Sequence, residues 1–156
     1  MKRTIYFFFA LILLLSTVSC TKDITYNVQY SLKGKYEVAK DAENKYGRHQ
    51  YSYYKIPPEG GLFWLIANFD FLDYYLVGLK SIENGITTEN QFKSAEQFDG
   101  GWYKIEVVPD HSDRWILDFD ENNTGEERVL YVTIFTQFGG GPHTEILVQT
   151  PYPEEM

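Results

Sequence analysis

Three oxygen-bearing side chains at alternate positions, Asp118, Asp120 and Asn122, are the first candidates for chemistry in this chain of 156 residues. D-x-D-x-N opens many calcium-binding loops, because Ca²⁺ prefers carboxylate and amide oxygens as ligands. A complete EF-hand loop also needs Gly at its sixth position and Glu at its twelfth, where this chain has Asn123 and Val129. The EF-hand interpretation therefore fails. A looser Ca²⁺ site stays open as the alternative to a solvated strand face.

Other catalytic and metal-binding patterns are missing from the sequence. His49, His111 and His143 lie in separate predicted loops, and neither H-x-x-x-H nor H-E-x-x-H occurs. The chain has no G-x-S-x-G, no phosphate-binding glycine loop and no cysteine cluster. A glycosidase needs two carboxylates at a defined separation, but a small sandwich rarely builds such a cleft. We therefore expect no enzymatic activity, no metal and no cofactor.

Aromatic side chains are the best candidates for ligand contacts. The chain contains 13 Tyr, 11 Phe and 3 Trp residues. Sugars present flat C–H faces that stack on such rings, whereas aromatic residues more often pack into protein cores. Exposed and adjacent Tyr131 and Phe135 would favour binding, and coverage by the N-terminal segment would argue against it. The candidate platform comprises Trp102, Tyr103, Tyr131 and Phe135, with Tyr74 and Tyr75 beside them.

The N-terminus has the layout of a secretory signal peptide. Lys2 and Arg3 precede an unbroken apolar run at residues 5–15, which is shorter than the roughly 18 residues that a membrane-spanning helix needs. Residues 17–20, Thr-Val-Ser-Cys, resemble the lipobox of bacterial lipoproteins. Cys20 is the only cysteine, so it cannot form an internal disulfide. The resemblance implies acylation of Cys20 and attachment to a membrane through lipid.

Charge argues against one class of partner. Without Lys2 and Arg3 the chain keeps 12 basic and 22 acidic residues, a net charge of −10, and no basic run occurs. Nucleic acid, which attracts basic surfaces, is therefore not an expected partner.

Hydropathy repeats with a period of two along most of the chain, which predicts an all-β fold. Residues 25–32 alternate, residues 33–35 form a turn signal, and alternation resumes at residues 36–38, which predicts an N-terminal hairpin; a disordered arm is the alternative. Residues 87–97 are polar and predict a loop or short helix. Inward positions are predicted at Trp115, Leu117 and Phe119, then at Leu130, Val132 and Ile134, and finally at Ile146 and Val148. The expected layout is a signal peptide at 1–19, a lipid-anchored arm or hairpin at 20–49, a sandwich at 50–150 and a loose tail at 151–156.

The C-terminal third resembles the end of a BACON domain. Residues 122–128, Asn-Asn-Thr-Gly-Glu-Glu-Arg, lead into an alternating strand and a glycine-rich loop, and residues 146–149, Ile-Leu-Val-Gln, close the pattern. Residues 56–61, Ile-Pro-Pro-Glu-Gly-Gly, are similar to the start of that domain. The resemblance implies an immunoglobulin-like antiparallel β-sandwich of the kind found in lipoproteins of Bacteroidetes. It brings a proposal of carbohydrate binding and no catalytic residues. Turn chemistry predicts structural roles for Asn122, Arg128 and Gln149.

These observations predict an outer-membrane lipoprotein whose non-catalytic sandwich acts as an interaction or spacer module, on either leaflet. Two alternatives stay open. One is a surface lipoprotein that binds glycan or mucin. The other is a component of an envelope or adhesin-like assembly that pairs through an exposed strand.

Overall fold

The computed structural model describes residues 27–46, 52–137 and 141–153, and in these ranges the chain forms strands and turns without a helix. Alternating apolar residues in short runs, separated by Gly, Pro and Asn turns, account for this all-β structure. The strands are β1 (Tyr30–Lys33), β2 (Glu37–Lys40), β3 (Ser52–Ile56), β4 (Gly61–Ala67), β5 (Tyr74–Glu83), β6 (Ile86–Ala95), β7 (Gln97–Asp99), β8 (Tyr103–Val108), β9 (His111–Phe119), β10 (Arg128–Thr136) and β11 (His143–Gln149).

The strands form two sheets that pack face to face, so the predicted β-sandwich is confirmed. Sheet 1 has the order β1-β4-β9-β8-β7, and sheet 2 has the order β2-β3-β11-β10-β5-β6. Neighbours are antiparallel except for β3 and β11, which run parallel with Leu147 opposite Tyr54. The expectation of a purely antiparallel sandwich therefore needs this correction. A parallel pair requires a long connection, and most of the domain lies between these two strands.

The core lies between the inner faces of the sheets. Trp115 and Leu117 of β9 and Leu130, Val132 and Ile134 of β10 are buried there. The inward faces predicted for these two strands are therefore confirmed.

The face predicted for β11 is wrong. Leu147 packs into the main core, whereas Ile146 and Val148 join a second apolar cluster with Tyr46 and Val129 on the outer side of sheet 2. Both faces of β11 are covered, so apolar residues occupy both parities and the sequence pattern does not distinguish them.

The predicted N-terminal hairpin is also wrong. β1 pairs with β4 in sheet 1, and β2 pairs with β3 in sheet 2. Gly34 lies where the chain crosses between the sheets, with φ 141°. A Cβ at this position would lie 2.5 Å from the Phe63 ring, so the crossing requires glycine. The turn signal at residues 33–35 is therefore a crossover and not a hairpin turn.

A hairpin does form where a loop or short helix was expected. Asn84 and Gly85 have φ of 51° and 72°, as a type I′ turn requires, and they join β5 to β6. Exposed polar residues dominate β6 because it is an edge strand, so it lacks the apolar alternation that identifies a strand in sequence. The proposed boundary at residues 49 and 50, the signal peptide and Cys20 lie outside the described residues.

Candidate interaction surface

Two members of the predicted aromatic platform belong to the core. Trp102 and Tyr103 are buried, and their ring centroids lie 4.9 Å apart in an edge-to-face arrangement. Trp102 also carries the Arg128 guanidinium over its ring, at 5.4 Å from the centroid. Neither ring can stack on an external sugar, so their assignment to a ligand platform is corrected to core packing.

Tyr131 and Phe135 lie on the outer face of sheet 2 but differ in exposure. Tyr131 is half-buried, and its hydroxyl donates a hydrogen bond to the Tyr46 carbonyl at 3.0 Å. Phe135 is exposed and lies opposite Tyr75 on the neighbouring strand, which is also exposed. The N-terminal segment thus covers Tyr131 and leaves Phe135 and Tyr75 as an exposed pair.

The cover over Tyr131 is a loop at residues 41–46. The buried Asp41 carboxylate accepts hydrogen bonds from the backbone N–H groups of Lys45 and Tyr46, at 2.7 and 3.1 Å. Lys45 and Tyr46 both bind the Glu127 carboxylate across the sheet. The hydrogen bond that Lys45 donates to Glu127 raises the pKa of Lys45, and burial raises the pKa of Tyr46 to about 12. These contacts hold residues 41–46 against the outer face of sheet 2, where they partly cover Tyr131.

The possible calcium ligands do not form a site. Asp118 points from the outer face of sheet 1, next to Lys104 on β8. Asn122 is fully buried, and its Oδ1 accepts hydrogen bonds from the Thr124 N–H and hydroxyl. No group of three or more metal-ligating acidic, histidine or cysteine side chains occurs in the described ranges. The weak metal assignment of Asp118, Asp120 and Asn122 is corrected accordingly.

The residues that close the C-terminal pattern lock the end of the sandwich. Asn122 Nδ2 donates to the carbonyls of Glu126 and Gln149, at 2.9 and 3.3 Å. Gln149 Nε2 donates to the carbonyls of Asp120 and Pro58, at 2.7 and 3.3 Å. These bonds satisfy backbone carbonyls where strands end, as the sequence predicted.

Arg128 completes this lock from the neighbouring strand. Its Nε binds the Glu83 carboxylate at 2.7 Å, and its Nη1 donates to the Glu121 carbonyl at 3.0 Å. The guanidinium is mostly buried, and its contacts are all within the fold. Arg128 therefore has the structural role that was predicted for it.

An apolar patch covers the centre of the outer face of sheet 1. It consists of Leu62, Trp64 and Ile66 on β4 and Ile116 on β9, which lies opposite Trp64. Leu62 is 64% exposed and Trp64 is 40% exposed, whereas the two isoleucines are half-buried. Residues 62–67 are apolar at both odd and even positions, so the outer face of β4 is apolar as well as its core face, a pattern that would suit a covered second face. In the described part of the chain this face carries no such cover.

Charged and polar side chains surround the apolar patch. Lys33 lies beside Trp64 on β1, Arg114 beside Ile66, and Asp118 beside Leu62. Glu106 lies on the far side of Ile116. An apolar centre surrounded by a rim of positively and negatively charged side chains is the usual composition of a surface that binds another molecule.

Among the described strands, β6 forms the longest sheet edge. It is ten residues long and ends sheet 2, with β5 as its neighbour. The pairing is irregular between Leu76 and Gly78, opposite residues 91–95, and such an irregularity hinders the addition of a further strand. Regular backbone for strand addition is therefore confined to the first six residues of β6.

A half-buried carboxyl lies on the inner face of β11. Glu145 is opposite Val132, and no ion pair or hydrogen bond joins it to another described side chain. Burial raises its pKa to about 7. Tyr30 and Tyr54 lie close to it, and its charge contributes, after burial, to the raised pKa of both hydroxyls. Glu145 is thus a half-buried acid beside two tyrosines, with no cationic partner among the described side chains.

The comparisons with known proteins concern the fold. A protein of Bacteroides thetaiotaomicron, solved by NMR, superposes with a TM-score of 0.56 at 17% identity, over 90% of this chain and 99% of that one. The similarity is one of fold. No protein-family model and no curated protein matches the sequence. The described residues include no helix long and apolar enough to cross a membrane.

Proposed function

We propose that this protein is an outer-membrane lipoprotein whose sandwich is a non-catalytic interaction module, and that the apolar patch is its contact surface. The supporting observation is the exposure of Leu62 and Trp64 at the centre of a sheet whose other face forms the core. Keeping a tryptophan and a leucine in water has no structural benefit, and a partner that covers them removes this apolar area from water. A spacer needs no such patch.

A photo-crosslinking residue in place of Leu62, introduced in intact cells, is expected to give a discrete adduct, because this position is highly exposed within the apolar patch. Trp64→Ala in the same chain is expected to reduce the adduct yield roughly tenfold or more, since exposed aromatic residues commonly dominate binding. The yield is measured on blots of the adduct.

Tyr152→Ala is the matched control, because Tyr152 is also 40% exposed but lies outside the patch. It should leave the adduct unchanged. A crosslinker at Ile86, which is 70% exposed, tests non-specific capture. Equal adducts from positions 62 and 86, or an adduct insensitive to Trp64→Ala, would leave the spacer hypothesis as the better account.

A glycan is the second candidate partner, and Trp64 is the observation that favours it. Its exposed ring lies between Lys33 and Ile116, with Arg114 and Asp118 within the surrounding rim. A ring face for C–H stacking with nearby charged hydrogen-bonding groups matches the chemistry of a sugar. A glycan array probed with residues 21–156 distinguishes this candidate, because a sugar ligand must bind wild type and not Trp64→Ala.

Lipidation of Cys20 is the second part of the proposal. The mature protein is expected to carry acyl chains on Cys20, and Cys20→Ser should move the protein from the membrane to the soluble fraction, because each buried CH₂ contributes about 0.8 kcal/mol. Intact mass measurement and fractionation report the two effects. A wild-type mass without acyl chains would refute this part and leave the apolar patch untouched.

We also propose that the domain belongs with BACON domains. The two-sheet fold and the structural lock of Asn122, Arg128 and Gln149 support this assignment. No catalytic role follows from it.

A further inference from the structure

The described chain begins at one end of the sandwich, and Cys20, the residue proposed to carry the lipid, precedes it by a short connection. Six residues separate Cys20 from Asn27, so this connection of seven residue-to-residue steps spans at most about 25 Å when fully extended. Residues 27–29 run beside Asn68, which comes directly after β4. Gln29 N–H donates to the Asn68 side chain at 3.0 Å, and Asn68 Nδ2 donates to the Asn27 carbonyl at 3.1 Å. These bonds fix where the tether leaves the fold, and we call this the tether end.

Exposed aromatic residues gather at the tether end. The connection between β4 and β5, residues 68–73, carries Phe71, which is 63% exposed. Phe71 packs against Phe69, with ring centroids 5.4 Å apart. Tyr75 follows at the start of β5 and pairs with Phe135 near the end of β10. Phe71 and the exposed rings of Tyr75 and Phe135 therefore lie near the end of the sandwich where the tether leaves it.

The charges at this end limit which lipid the rings would meet. Asp70 and Asp73 flank Phe71, both are exposed, and Asp110 is exposed in the neighbouring turn between β8 and β9. Carboxylates are repelled by anionic headgroups. Aromatic rings, by contrast, favour the boundary between headgroups and acyl chains.

We propose that Phe71, together with Tyr75 and Phe135 near the same end of sheet 2, is a membrane-contact site that holds the tether end against a zwitterionic phospholipid surface. This inference rests on the proposed lipidation of Cys20. The acyl chains hold the domain at the bilayer, so three rings need to add little affinity to fix its orientation. Seating this end leaves the far end of the sandwich, about 30 Å away along the ten residues of β5, directed away from the membrane.

Nitroxide labelling tests this orientation in the full lipidated chain. Acylation consumes the thiol of Cys20, the only native cysteine, so Phe71→Cys or Ile86→Cys provides a single labelling site. Ile86 is 70% exposed at the far end and is the matched control. In vesicles of phosphatidylethanolamine and phosphatidylcholine, the label at position 71 is expected to be several-fold less accessible to a water-soluble nickel chelate than the label at position 86. It should also be more accessible to oxygen, which concentrates in lipid.

Equal nickel accessibility at the two positions overturns the proposal, as does a lipid contact at position 86 instead of 71. Contact that requires added phosphatidylglycerol also overturns it, because the acidic residues predict no gain from anionic lipid. Acyl chains on Cys20 are verified separately by mass. If they are missing, the proposed lipidation has failed. The orientation can then be tested with a maleimide-linked lipid attached to Cys20, while the cysteine introduced for the nitroxide carries a removable protecting group during that step.

Discussion

Replacing Glu145 by Gln is expected to stabilise the protein by about 3 kcal/mol at pH 8 and to change its stability little at pH 4. Glutamine has nearly the shape of the protonated acid, but it never becomes charged. The substitution therefore removes the desolvation cost of a charged carboxylate beside Tyr30 and Tyr54.

The sign follows from the two pKa values of Glu145. Burial raises the folded-state pKa to about 7, whereas an unfolded glutamate titrates near 4.3. The folded state therefore binds the proton more tightly. The stabilisation is complete below the unfolded value and is lost as the pH rises through 7, at up to about 1.4 kcal/mol per pH unit.

Chemical unfolding of both proteins between pH 4 and pH 8 measures this difference. Subtracting the two curves cancels the contributions of ionisable groups that are common to both proteins. Glu96→Gln is the control on an exposed glutamate and should change stability by less than about 0.5 kcal/mol at every pH. A flat difference between Glu145→Gln and wild type would show that the Glu145 carboxyl is solvated in solution.

Sequence identified the fold class because alternation and turn chemistry are local. Trp115 and Leu130 lie on strands whose inner faces form the main core, so the alternation of apolar residues predicted which positions point inward. Ile146 was misassigned because Tyr46, far away in sequence, covers the outer side of its strand. The sequence around Gly34 resembles a hairpin turn. The actual pairing, of β1 with β4 and of β2 with β3, depends on contacts between residues far apart in sequence.

The candidate surface was harder to predict than the fold. Trp102 follows a Gly-Gly turn and Trp64 lies within an apolar run, and neither context shows that Trp102 is buried and Trp64 is 40% exposed. What separates them is long-range packing, because Trp102 contacts Phe119 and Arg128. The signal that was present in sequence was the apolar character of β4 at both parities. It indicated a second apolar face, and the structure shows that this face is open among the described residues.

Gln149→Ala is expected to lower the free energy of unfolding by about 2–3 kcal/mol. The side chain is fully buried and donates to the Asp120 and Pro58 carbonyls, so truncation leaves both without these donors and opens a cavity. This loss of unfolding free energy is expected to lie at the lower end of the range for truncating a buried, hydrogen-bonded side chain. The Gln149 Oε1 is itself buried without a hydrogen-bond partner among the described residues, which already offsets part of the stabilisation.

Urea unfolding of Gln149→Ala beside Gln91→Ala, which truncates an exposed glutamine of β6, isolates the effect of the buried amide. A cycle with Asn122→Ala examines the lock as a unit. Asn122 binds the Gln149 carbonyl, and Gln149 binds the carbonyl of Asp120 two residues before Asn122. The double variant should therefore lose less than the two single variants together. Strict additivity would mean that the two amides act on separate carbonyls, and it would remove the physical basis for treating the C-terminal pattern as one structural lock.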